Sequence, residues 1–237
     1  MKESFIYKDE KIEYKIIYSK RKTMEISIEP PDKITVRAPI RLPKYNIVER
    51  LTEKGDWILK HLNNFKIIDY KPINREFING ETLLYLGREY NLIVYGDYLR
   101  KKSVVYIEAE NIVVRLKEKD KDNIERALEL WYRKEALNYI LDSIEKYEKI
   151  LNRKPKDIVV KEQKKRWGSC TYDNRLLFNW RCVMARPQAI DYVILHEMCH
   201  IVHKDHSKNF WNLVESIMPS YKEEKQWLKI NGHKLTL

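Results

Sequence analysis

The stretch from His196 to His206, HEMCHIVHKDH, combines the residue types that hold and use a divalent metal. On a helix four residues turn by about 400° and rise about 6 Å, so His196 and His200 share one face, a turn apart. That is the spacing at which two imidazoles grip one tetrahedral zinc ion. Glu197 sits beside them, placed to act as general base toward a metal-activated water. A third protein ligand would leave the fourth position open, which distinguishes a catalytic zinc site from a structural one. The chemistry expected of this segment is hydrolysis with one Zn2+ per chain.

Three residues compete for the third position. His206 follows the helix, after a Lys204–Asp205 exit from which a side chain can close a tetrahedron. His203 lies close to the same helical face, but three successive turns spread their side chains over roughly 10 Å, too far for one ion. Glu215 could arrive from a following helix. Tetrahedral geometry favours His206 and leaves the other two open.

The helix itself is readable. Ile190, Val193, Ile194 and Leu195 make an apolar stripe and Pro187 suits a first turn, so the spacing predicts a helix from Pro187 to about His203. Short helices are expected over 207–218 and 221–230, and a long amphipathic one from about Asp122 to Asn152, ended by Pro155. DIVVKEQ, RWGSCTYD and RLLFNWRC read as strands, the last two joined by a turn at Tyr172–Asp173–Asn174. Upstream, KIEYKIIYS, MEISIEP and KITVRAP alternate in period two, with Pro30, Pro31 and Asp32 as the turn between the last pair. Helical spacing takes over from Leu42 to Phe65, and further strands follow in NGETLLYLGREYNLIVYG, SVVYIEAE and NIVVRLK. Strands followed by helices predict an α+β architecture, with an N-terminal β-rich accessory region over 1–120 and the catalytic domain over 121–237. No internal repeat is evident.

The composition sets outer limits. Hydrophobic content of 43% against 34% charged describes a globular chain, not a disordered one. No apolar run approaches the ~18 residues needed to cross a bilayer, and the first residues lack a signal's apolar stretch, so a cytoplasmic protein without membrane contact is expected. Cys170, Cys182 and Cys199 form no C-x-x-C pair and read as reduced thiols. The net charge of +11 is spread along the chain, with one cluster at Arg153–Arg166. That cluster reads as a solvated strand edge first, and as a surface for nucleic acid or an acidic protein second.

Longer motifs add a family likeness. KRWGSCTYDNRLLFNWR, DYVILHEMCHIVHKDHSKNFW and MPSY, with WYRKEA, NGETLLYLGREY and GDWILK upstream, resemble the YgjP-like metallopeptidases. These are zincin-fold proteins related to the SprT and WLM groups. The resemblance implies a zincin-like domain whose active-site helix packs beside a small antiparallel sheet, with His196, His200 and His206 as metal ligands. It favours His206 within HSKNFW over Glu215.

Zincin peptidases lay extended substrates along an edge strand, which the strand holding Arg166, Trp167, Gly168, Ser169 and Cys170 would supply here. Gly168 permits close backbone approach, while Arg166 or Trp167 could shape the cleft. Tyr221, Tyr192 and Arg166 are candidates to steady the oxyanion. Trp167, Phe178, Trp180, Phe210 and Trp211 read more simply as packing around the helix. Asn179 is a candidate to orient a ligating imidazole, and Asp191 a first-turn residue complementing the helix dipole.

The expected activity is zinc-dependent cleavage of peptide bonds in a protein or peptide substrate. Two rivals remain: a DNA-associated protease of the SprT kind, favoured by the basic excess, and a zinc-stabilised binding module without catalysis.

Overall fold

A computed structural model describes residues 2–29, 31–67, 73–99, 101–163 and 165–237. Pro30 of the expected 30–32 turn and Lys164 of the basic cluster lie outside them. The chain divides into two compact units, Met1–Pro72 and Ile73–Leu237. The expected boundary at 120 therefore falls inside the second unit. The reason is packing: Leu83, Leu92, Ile112 and Val114 from the strands before 120 share one core with Leu128, Tyr132 and Ile194 from the helices after it.

In the first unit, alternating apolar residues form strands β1 (Lys2–Tyr7), β2 (Glu10–Ser19), β3 (Glu25–Glu29) and β4 (Lys33–Pro39). They lie in the order β1-β2-β4-β3, with β2 and β4 parallel and the outer pairs antiparallel. Helices α1 (Lys44–Glu53) and α2 (Gly55–Ile67) follow. Ile12, Tyr14, Ile34 and Val36 of the sheet pack with Ile47, Leu51 and Ile58 of the helices.

The second unit opens with β5 (Thr82–Tyr85), β6 (Arg88–Gly96), β7 (Val104–Glu108) and β8 (Asn111–Leu116). Their order is β5-β6-β8-β7, with β6 and β8 parallel and the outer pairs antiparallel. This repeats the first sheet strand for strand, which the sequence reading did not anticipate. Helix α3 (Lys121–Leu151) comes next, capped where the Asp120 carboxylate accepts the Asn123 amide at 2.9 Å and ended by Asn152 in the left-handed region.

A third sheet carries the sequences nearest the histidines. Strands β9 (Asp157–Lys161), β10 (Gly168–Cys170) and β11 (Arg175–Asn179) lie in the order β10-β11-β9. β10 and β11 are an antiparallel hairpin, but β9 runs parallel to β11. The sheet is therefore mixed, not antiparallel as expected: β9 lies on the opposite side of β11 from β10, which leaves β10 at an edge. A 3-10 turn at Trp180–Met184 leads into α4 (Pro187–Val202), then α5 (Lys208–Ile217) and α6 (Tyr221–Asn231). The architecture is α+β, with six α-helices and three small sheets among the described residues.

Candidate metal centre

Helix α4 is buried on nearly every side, as its apolar residues require. Ala189, Ile190, Val193, Ile194, Leu195 and Met198 are each at most 5% exposed. Helix α3 holds it from one side: Tyr139 and Ser143 hydroxyls donate to the Asp191 carboxylate at 3.2 and 2.9 Å. Asp191 is thus a tie between helices and not merely a complement to the dipole. At the entry to α4, Arg186 donates twice to buried Glu224 of α6, at 2.9 and 3.0 Å, a bidentate pair that fixes its direction. The β5–β6 turn locks onto the same point. Gly87 has φ +75°, and a Cβ there would lie 2.8 Å from the Arg186 Cα, so only glycine fits.

The helix stops at Val202 and His203 turns extended. The short connection to α5 then folds back, bringing the His206 ring over the last turns of α4. His206 Nε2 lies 3.0 Å from His196 Nε2 and 3.1 Å from His200 Nε2. His203 contributes differently: its carbonyl accepts from His200 Nδ1 at 3.0 Å. A nitrogen facing a carbonyl must carry the proton, so Nε2 of His200 is left with a free lone pair. Glu215 is engaged elsewhere, with Lys222 at 2.9 Å.

These distances suit a metal. Nitrogens bound to one tetrahedral zinc at about 2.0–2.1 Å stand roughly 3.3 Å apart. Burial pushes the His196 imidazole down to about 3, with the charges of His200, His206 and Lys225 acting in the same direction. Burial lowers His200 as well. Neutral imidazole is the form that ligates. Helix α5 braces the rings: Phe210, fully buried, stacks on His200 with centroids 4.4 Å apart, and Trp211 stacks on His206 at 5.6 Å.

Glu197 shares the cleft, 6% exposed. Burial pushes its carboxyl up to about 7, opposed by the Cys170 backbone amide and the Arg166 charge. The edge strand β10 presses on it directly. A Cβ on Gly168 would sit 2.6 Å from Glu197 Cγ and 2.8 Å from Oε1. The close approach anticipated at Gly168 is therefore an approach to Glu197 itself. The cleft, of about 380 Å³, is lined by the three histidines and Glu197 on one side, and by Arg166, Gly168, Ser169, Cys170 and Lys204 on the other.

The family described as "YgjP-like, metallopeptidase domain" matches residues 22–231. The chain belongs to the YgjP-like metallopeptidases. By family it is a hydrolase of peptide bonds, and membership implies a bound metal. Among solved structures, the metallopeptidase zymogen of Pyrococcus abyssi abylysin aligns with 38% of this chain and 92% of its own. Identity is 20% and the TM-score 0.35, a likeness too slight to bear on fold or chemistry. No curated protein matches the chain. No helix among its described residues is long and apolar enough to cross a membrane.

Other expected site residues of this YgjP-like protein fall outside the cleft. Tyr221 is buried, stacked at 5.4 Å on Trp211 and 6.4 Å on Tyr192, which in turn lies 5.9 Å from His196. Neither tyrosine is among the residues lining the histidine cleft; Tyr221 lines a neighbouring cleft with Trp211, Lys222 and Lys225. Asn179 orients no imidazole. Its amide donates to the Gln163 carbonyl at 2.8 Å and its oxygen accepts from the Arg181 amide at 3.1 Å, so it pins the loop before β10. All three cysteines are free thiols. Lys204 was missed by sequence reasoning. It donates to the Thr171 carbonyl at 3.2 Å and so ties the helix exit to the β10–β11 turn. Its position two residues before His206 was the only available signal.

Proposed function

We propose that the protein is a zinc-dependent metallopeptidase with a zincin-like site, in which His196, His200 and His206 hold the metal and Glu197 is the general base. The observation that carries this reading is the convergence of three imidazole Nε2 atoms at 3.0 and 3.1 Å in the cleft that holds a buried Glu197. When held by these three histidines, zinc would supply Lewis acidity toward a water and the peptide carbonyl. Glu197 takes the proton of the attacking water and returns it to the departing amine.

The other residues position these groups. Gly168 lets the edge strand approach Glu197 and limits its rotamers. The His203 carbonyl fixes the tautomer of His200, and Phe210 and Trp211 restrict the rings. β10, at the edge of its sheet, offers backbone groups on which an extended substrate can pair. Arg166 faces the same cleft and is placed to contact that substrate.

The test pairs Glu197→Gln with His206→Ala. Glu197→Gln is expected to keep about one zinc per chain and lose at least about 10²–10³-fold in peptide hydrolysis. His206→Ala is expected to lose the metal, read by elemental mass spectrometry. A Glu197→Gln protein as active as the wild type would exclude the proposed base.

A further inference from the structure

Beside the catalytic cleft lies a second one, of about 590 Å³, that the proposed reaction does not use. The two share one residue, Arg166, which lines both. The second cleft is lined by apolar Trp167, Leu228 and Leu235 and by the guanidinium-bearing Arg166 and Arg181. Its one lining carboxylate is Glu162, and this is spent on Arg181 at 2.9 Å. Arg181 is further held across the Trp180 ring, 4.3 Å from its centroid. Arg166 is exposed, and its charge is felt at Glu197 in the inner cleft. An exposed guanidinium beside apolar side chains suits a carboxylate carried on a short hydrocarbon stem.

The chain direction links this cleft to the chemistry. β10 begins at Gly168, opposite Glu197, and Trp167 and Arg166 precede it. A peptide paired along β10 advances about 3.3 Å per residue, so two or three residues beyond the one facing Gly168 it reaches Arg166. We propose, resting on the peptidase reading above, that this second cleft is a specificity subsite for a peptide carboxylate, with Arg166 as the recognising group. The carboxylate comes from an acidic side chain or from the free C-terminus of the substrate. Arg166 stands at the junction, so it ties recognition in the outer cleft to alignment in the inner one.

The experiment uses the full chain with Glu197→Gln, loaded with zinc, so that peptides bind without being cut. Fluorescent twelve-residue peptides of neutral sequence carry one glutamate walked along the chain, each beside its glutamine twin and with a free or amidated C-terminus. Anisotropy titration gives the affinities. A charge-assisted contact gives about tenfold tighter binding for the favoured member of a pair. An acidic side chain as the source gives this gain at one or two positions whatever the terminus. A terminal carboxylate gives it only with the free end. Adding Arg166→Gln should shrink the gain below twofold, and Arg166→Glu should reverse it, so that the glutamine twin binds more tightly. Glutamate and glutamine, and free and amidated ends, binding within twofold of each other would overturn the subsite while leaving the peptidase reading intact. No binding by any peptide would overturn both.

Discussion

The first sheet, β1–β4, and the second, β5–β8, are built alike and lead into different helices. Their strand order and directions are the same, and so are the registers of β1–β2 with β5–β6 and of β2–β4 with β6–β8. The third pairing differs by one residue, since Glu29 faces Lys33 where Glu108 faces Asn111. Tyr7 faces Glu10 across a two-residue turn just as Tyr85 faces Arg88, and Ile16 pairs with Val36 just as Val94 pairs with Val114. Ile34, Val36 and Ala38 match Ile112, Val114 and Leu116 as buried positions at one constant offset. The copies part company at the helix that follows. In the first, the helix breaks at Lys54, and a Cβ on Gly55 would come 2.4 Å from the Tyr7 ring. In the second, Tyr85 packs on Trp131 at 5.1 Å and donates to Glu135 at 3.1 Å, and α3 runs on for 31 residues. The extra length carries Tyr139 and Ser143 to Asp191 on α4. The largest difference between the two copies is thus the uninterrupted helix that follows the second.

Equivalent substitutions in the two copies probe this contrast. The largest effects are expected in the cores. Leu51→Ala and Leu128→Ala each empty a fully buried site and should cost about 2–5 kcal/mol. Hydrogen exchange should show Leu51→Ala loosening residues 1–72 with zinc content intact, and Leu128→Ala loosening the second unit and its metal site together. Equal loosening of both units by either change would show one cooperative body and break the comparison.

The turns come next. Gly87→Ala places a Cβ against the Arg186 backbone at positive φ and should cost about 2–3 kcal/mol in denaturant unfolding. Its counterpart Asp9, exposed with φ 62°, should accept glycine within about 0.5 kcal/mol. A mild Gly87→Ala would mean that the turn does not anchor the start of α4. Smallest is Tyr139→Phe, which removes one hydroxyl from Asp191 and should cost about 1 kcal/mol, detected as a lower melting temperature. A shift of zero would remove the proposed significance of the long α3.

Much of the second unit was legible in the chain. α3, α4, α5 and α6 lie within a residue or two of the expected bounds, because helical periodicity and terminators such as Pro155 and Pro187 act over a few residues. The β10–β11 hairpin was readable for the same reason. The repeat was not: Ile12 and Tyr14 correspond to Tyr90 and Leu92, which share apolar alternation but no identity. Nor was the boundary near 72, since β-type patterning resumes beyond it. The parallel pairing of β9 with β11 depends on where a crossing loop leads, which alternation cannot encode.

The sequence by itself determined that His196 and His200 belong to one helical face with Glu197 beside them, because a 3.6-residue period is a local property. It also determined that aromatic residues would surround them. Spacing and the family resemblance already favoured His206 as the third ligand. Only the tertiary structure decided that Gly168 wedges Glu197, that Tyr221 stacks on Trp211 outside the histidine cleft and that Arg166 lines two clefts. Each of these joins residues far apart in the chain, and their meeting is set by how α3, α5, α6 and the β10 edge pack around α4.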